Sequence, residues 1–201
     1  GNIRVKRFQR PSIIQILLLL VGLLVAVYVA DLLIQRTKTI VLQLFVANDD
    51  QDVFEAKRIE SELASVFSIQ SDERIIVDDS LYVVLGSSDH YVESSLSKIY
   101  AYMAAKELDA LIAPLNVVEH YVKGLPMLDF PTLLSQRPGL LERLAPFLKV
   151  AESIDGQEKE YLLDLTLSRY EPSTPFYMAI PQSVPHTQAL ITFLQYLFPL
   201  Y

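Results

Sequence analysis

The sequence predicts an α/β fold in which a single N-terminal transmembrane helix precedes a largely parallel α/β sandwich. Two observations predict it. From Ile13 to Ile34 the chain is apolar apart from Gln15 and Asp31, and beyond Thr39 short β-branched runs alternate with segments of helical spacing. A helix rises about 1.5 Å per residue and the hydrocarbon core is roughly 30 Å thick, so about 20 apolar residues suffice to cross it. Gln15 and Asp31 lie near the two ends of the run, within reach of headgroups.

The flanks predict orientation. Arg4, Lys6, Arg7 and Arg10 precede the run, while Arg36 and Lys38 follow it, which places 1–12 in the cytoplasm, the membrane helix at 13–34, a linker at 35–38 and the domain 39–201 outside. A cleaved signal peptide requires small residues before the cut, and cuts after Ala26 or Ala30 would put Leu24 or Tyr28 at the −3 position. Within the run, Gly22 and Ala26 form one small-xxx-small pair of the kind that lets membrane helices approach.

Thr39 to Ala47, TIVLQLFVA, reads as a central strand buried on both faces. Asn48, Asp49, Asp50 and Asp52 then open a helix whose apolar residues Val53, Phe54, Ala56, Ile59, Leu63 and Val66 recur at helical spacing. Arg74 to Val77 is a second strand, broken by Asp78 and Asp79, and Leu81 to Leu85 a third, ending at Gly86-Ser87-Ser88. This β-α-β opening predicts parallel pairing through a right-handed crossover.

Val92 to Glu107 reads as a helix, Leu108 to Ala113 as a strand ended by Pro114, and Asn116 to Lys123 as a short helix closed by Gly124. The apolar stretch from Leu125 to Leu134 follows, then a helix over about 140–148 and the Asp155-Gly156 turn. Tyr161 to Ser168 alternates Leu163, Leu165 and Leu167 with Asp164, Thr166 and Ser168, the pattern of a half-buried strand. Phe176 to Ile180 is the last strand and His186 to Phe198 the last helix.

Residues 39–201 carry 11 Lys and Arg against 23 Asp and Glu, a surface that repels nucleic acid and anionic headgroups. The chain has no cysteine, which removes disulfides and thiol chemistry from consideration. His90, His120 and His186 lack metal-ligand spacing, and the acidic cluster 49–52 lacks the glycine and closing glutamate of a calcium loop. Neither a phosphate loop, a dinucleotide fingerprint nor a Gly-x-Ser-x-Gly elbow occurs, and no nucleophile, base or carboxylate pair assembles a hydrolase. We therefore expect no catalytic residue, metal or cofactor.

In its second half the sequence resembles a family. The stretch SKIYAYMAAKELDALIAPLNVVEHYVKGLPMLDF contains an Asp-x-x-Ile strand at Asp109 to Ile112, followed by a helix and an apolar stretch. DGQEKEYLLDLTLS has an Asp-Gly turn and a returning strand, and PFYMAIPQSVPHTQALITFLQYLF ends in a strand, Ser183, Ala189, Phe193 and a helix. Together they resemble bacterial extracytoplasmic solute-binding proteins of the type 2 periplasmic fold, over roughly 39–201. The resemblance implies a reduced second lobe and a small-molecule ligand held at the carboxyl ends of the parallel strands, near the crossover between lobes. Ser87, Ser88, Asn116, Asp164 and Ser168 are the ligand-binding candidates: polar groups near strand ends or on an otherwise apolar strand. A solute-binding domain serving a membrane-protein partner is the first expectation. The alternative is a non-catalytic accessory or assembly subunit that has lost its ligand, with the apolar stretch 125–134 as a contact.

Overall fold

The structure, a computed structural model, describes residues 9–200, so part of the basic segment 1–12 and the final Tyr201 lie outside the described residues. It divides into two units, 1–39 and 40–201. In the first, helix α1 spans Ile13–Thr37 and buries none of its residues against the protein. Its 25 residues extend about 37 Å, long and apolar enough to cross a bilayer. Gln15, read as a polar interruption, works as a cap. Its side chain accepts from the Ser12 N–H at 3.0 Å while the Ser12 hydroxyl accepts from the Gln15 N–H at 3.2 Å. The helix passes Ile34 and Thr37 bonds back to its carbonyl at 2.8 Å, which shortens the expected linker to Lys38.

The second unit contains strands β1 (Thr39–Ala47), β2 (Glu73–Leu81), β3 (Ala110–Ala113), β4 (Met127–Leu128), β5 (Leu148–Glu152), β6 (Glu158–Asp164) and β7 (Tyr177–Pro181). Its helices are α2 (Ala56–Phe67), α3 (His90–Ala104), α4 (Leu115–Gly124), α5 (Phe130–Leu133), α6 (Pro138–Leu144) and α7 (Thr187–Leu197). The strands form one seven-stranded sheet in the order β2-β1-β3-β7-β6-β5, with β4 pairing β7.

The expected largely parallel sheet is corrected here. β1 and β3 pair parallel, and a bond from the Asn48 N–H to the Leu81 carbonyl at 3.0 Å joins the carboxyl ends of β1 and β2. The pairs β3–β7, β4–β7, β6–β7 and β5–β6 are all antiparallel. For β5–β6 and β6–β7 the physical reason is connection length. The β5–β6 and β6–β7 connections contain no crossover helix, and only a crossover can return the chain in parallel. The helix expected over 140–148 is present as α6 to Leu144 and a 3-10 turn, Ala145–Phe147, and β5, which was not expected, follows directly from Leu148.

Because facing residues of paired strands share one side, the register sorts the core into two layers. Leu44, Val46, Ala110, Ile112, Leu163 and Met178 pack with α2, α5, α6 and α7, whereas Phe45, Leu111, Ala113, Leu162 and Ala179 pack with α3 and α4. The result is a three-layer sandwich around one sheet, and no separate second lobe stands among the described residues. The apolar stretch 125–134 is interior as well: Phe130, Leu133 and Leu134 are buried against the first layer.

Candidate functional site

At the carboxyl ends of β1, β2 and β3 the chain turns into three loops that lead to α2, α3 and α4. Asn48 and Asp52 adopt left-handed backbone (φ 62° and 50°), which only short polar side chains and glycine tolerate well. This turn delays α2 to Ala56, so of the expected acidic caps only Asp49 reaches backbone, accepting from Val53 and Phe54 N–H at 2.8 and 3.0 Å. Asn48 then behaves as one more strand residue. Its amide donates to the Val83 carbonyl at 2.8 Å and accepts from the Val83 N–H at 2.7 Å.

The expected strand 74–77, its break at Asp78 and Asp79 and the expected third strand 81–85 are corrected here: β2 runs through both aspartates to Leu81, and beyond it the side chain of Asn48 takes the pairing with Val83 that a neighbouring backbone would supply. The segment beyond Leu81 is irregular but anchored. The Tyr82 N–H donates to the Ser95 hydroxyl at 3.0 Å, the Tyr91 hydroxyl donates to the Ser80 carbonyl, and Asp89 caps α3 through the Tyr91 and Val92 N–H groups. Gly86, at φ +82°, makes the turn that a residue with a Cβ resists.

The predicted ligand residues do not converge. Ser87 and Ser88 sit on the β2–α3 loop, where the Ser87 hydroxyl accepts from the Asp89 N–H at 3.2 Å. Asn116 is exposed in the first turn of α4. Asp164 ends β6 and turns inward on its own loop, accepting from Thr166 N and Oγ1 at 2.9 and 2.6 Å. Ser168 is buried, with its hydroxyl 3.4 Å from the Tyr170 N–H it accepts from. β2 and β6 lie four strand spacings apart in the sheet order, about 19 Å at the usual separation, so the strands themselves do not bring the Ser87 loop and Asp164 together. Asp164 does line an open depression of about 480 Å³ together with Phe147, Lys149, Thr166, Leu167 and Tyr177. Burial, and then the Asp164 and Glu119 carboxylates, raise the Tyr177 phenol and keep it a donor.

One polar centre escaped the motif reading. Asp109 is fully buried and its carboxylate accepts from the Gln43 N–H, the His186 N–H and His186 Nδ1, each at 2.8 Å. Burial pushes this carboxyl above the usual range although the His186 imidazole and the Gln43 N–H pull it down. The centre ties β1, the start of β3 and the start of α7 together, and His186 is the exposed side of it. Nothing in a single Asp or a lone His announces the pairing, since 77 residues separate them. Among the described residues no group of three His, Cys, Asp or Glu is placed to hold a metal ion.

No family model, curated protein or solved structure matches the chain.

Proposed function

We propose that the chain is a single-pass membrane protein whose domain 39–201 acts, without catalysis, as an accessory or assembly subunit of a membrane complex. The observation that carries this reading is the state of the carboxyl edge. In the solute-binding arrangement that the sequence resembles, this edge faces a second lobe across a ligand cleft. Here every strand belongs to one sheet, the edge is open, and Tyr82, Val84, Leu85 and Tyr91 are exposed on it. Apolar groups gathered on a surface mark a protein contact more often than a small-molecule pocket. Supporting the resemblance itself are the β1-α2-β2 opening, the Asp109 to Ile112 strand and the closing β7–α7 pair, all in the expected order.

The test is chemical cross-linking of full-length protein in its native membranes, followed by purification through a tag on the chain. The reading expects one integral membrane protein in near-stoichiometric amount. Recovery of the chain alone, at every cross-linker length, contradicts it.

A second reading retains a small ligand, and the depression beside Asp164 favours it. Its volume of about 480 Å³ falls within the range of ligand sites, and Lys149, Asp164, Thr166 and Tyr177 offer charge and hydrogen bonds around an apolar floor. A thermal-shift screen of amino acids, sugars, peptides and metal ions separates the two, because a ligand of the folded state raises the melting temperature and Asp164→Ala then abolishes the shift.

A further inference from the structure

Four large apolar side chains stand exposed within ten residues of the β2–α3 segment: Tyr82 at 38%, Val84 at 46%, Leu85 at 39% and Tyr91 at 57%. The backbone that carries them is anchored at several points. The Asn48 amide bonds both the N–H and the carbonyl of Val83, Ser95 holds the Tyr82 N–H, and the Tyr91 hydroxyl is bound to the Ser80 carbonyl. A surface fixed in advance loses little conformational freedom when covered, which favours its use in recognition.

The rim around these groups is acidic. Asp50 and Asp52 project from the β1–α2 loop, Asp79 lies two residues before the end of β2 and Glu93 lies in the first turn of α3; none of them enters an ion pair among the described residues. The Asp79 carboxyl is raised by burial and next by Asp52, with Asp49 and Asp78 acting in the same sense, which places several carboxylates in one field. The cations near this edge are committed: Lys57 and Arg58, in the first turn of α2, pair with Glu60 and with Glu55 and Glu62, and the Lys98 ammonium is 2.5 Å from Asp78 and 5.3 Å from the centre of the Phe45 ring. The acidic rim repels a second copy of this surface, an anionic bilayer and nucleic acid alike.

We infer that this carboxyl-edge surface, formed by the β1–α2 and β2–α3 loops, docks a basic segment of a partner protein through apolar side chains of that segment. The inference rests on the accessory-subunit reading and names the partner's chemistry. Tyr82 and Leu85 supply the anchoring contacts, and Asp52 and Asp79 steer and orient the incoming cations.

The chain lacks cysteine, so Ser88→Cys gives a unique site for an environment-sensitive dye at the rim. Full-length labelled protein in phosphatidylcholine nanodiscs is titrated with three soluble twelve-residue peptides, mixed Lys/Leu, mixed Lys/Ser and mixed Glu/Leu, with empty nanodiscs as the blank. The Lys/Leu peptide should bind at least about tenfold more tightly than the other two, and several-fold more weakly when salt rises from about 0.05 to 0.3 M. Tyr82→Ser with Leu85→Ser should weaken it by about tenfold, and Asp52→Asn with Asp79→Asn by about fivefold. Val66→Ser, which alters an exposed residue on the last turn of α2, should leave it unchanged. Equal binding of Lys/Ser and Lys/Leu, preference for Glu/Leu, self-association through the surface, or indifference to both pairs of substitutions overturns the inference. The same variants go through the membrane cross-linking test. A partner still captured by both pairs removes this docking surface and leaves the accessory reading intact, whereas no partner for the unaltered chain removes that reading itself.

Discussion

Asp109→Ala removes the acceptor of two backbone donors in the interior, the Gln43 and His186 N–H groups, and of the His186 imidazole. His186 is partly exposed and its ring can turn to water, but the Gln43 N–H lies at a residue only 2% exposed. An orphaned buried donor costs about 1–3 kcal/mol, and relief of the buried carboxylate's desolvation offsets part of the sum, so a net loss of about 2–4 kcal/mol follows. For a domain of this size that lowers the melting temperature by roughly 4–16 °C. Asp109→Asn keeps one carbonyl acceptor while turning an amide toward the remaining donors, and should cost about half as much. The assay is thermal unfolding of the full chain in detergent, followed by near-ultraviolet tyrosine dichroism, which the 11 tyrosines supply in the absence of tryptophan. If Asp109→Ala melts within about 1 °C of the parent, or Asp109→Asn is as damaging as Asp109→Ala, the reasoning about orphaned donors is refuted.

The same carboxyl predicts a pH dependence. Burial raises it in the fold above its unperturbed value of 3.8, so its contribution is full below that value and is lost as pH rises through the folded one; the denaturation midpoint of parent relative to Asp109→Asn should fall across that window. Asp78 predicts the opposite sign. Burial alone would raise it, but hydrogen bonds from Lys98 and Ser80 outweigh burial and hold it below 3.8, so stability present above that value is lost on acidification, and Lys98→Met should flatten the acid limb of the midpoint curve. Gly86→Ala meets no atom within 4 Å, so its cost is conformational, about 1 kcal/mol by urea titration. For topology, Ser88→Cys in intact cells should react with a membrane-impermeant maleimide; protection until lysis contradicts an extracytoplasmic domain.

What the sequence made legible was whatever depends on local pattern. β1 from Thr39 to Ala47 is found at its expected bounds because nine residues of near-continuous apolar character serve a strand covered on both sides. The α4 helix, β7 and α7 fall within a residue or two of their expected limits for the same reason. Strand direction was not legible, because nothing local tells a buried strand which neighbour it will meet. β5 was missed because LKVAE at a sheet edge is mostly exposed and lacks the apolar alternation by which strands are recognised. Gly124, expected as a helix stop, is instead the last residue of α4. A Cβ there would lie 3.1 Å from the Tyr100 hydroxyl, which bonds His120 Nε2 at 2.8 Å, so its smallness serves a close approach from α3.

The candidate site shows the same division more sharply. Ser87, Asp164 and Ser168 were singled out as polar groups near strand ends, and strand ends are where backbone donors lose their partners. Each of the three accepts a backbone N–H within four residues of itself. Polarity at such positions therefore answers a local need first, and ligand chemistry must be argued from groups whose bonding is still open. By that criterion the carboxyl edge differs from the rest of the domain. Its backbone is held at Val83 by Asn48, at Tyr82 by Ser95 and at Tyr91 by Asp89, while Tyr82, Val84, Leu85, Asp50, Asp52 and Asp79 are exposed. A second lobe would convert that edge into the wall of a cleft. With one sheet and no opposing lobe among the described residues, the docking inference makes the same edge a platform whose preference follows from its own surface, with Tyr82, Val84 and Leu85 exposed beside Asp50, Asp52 and Asp79.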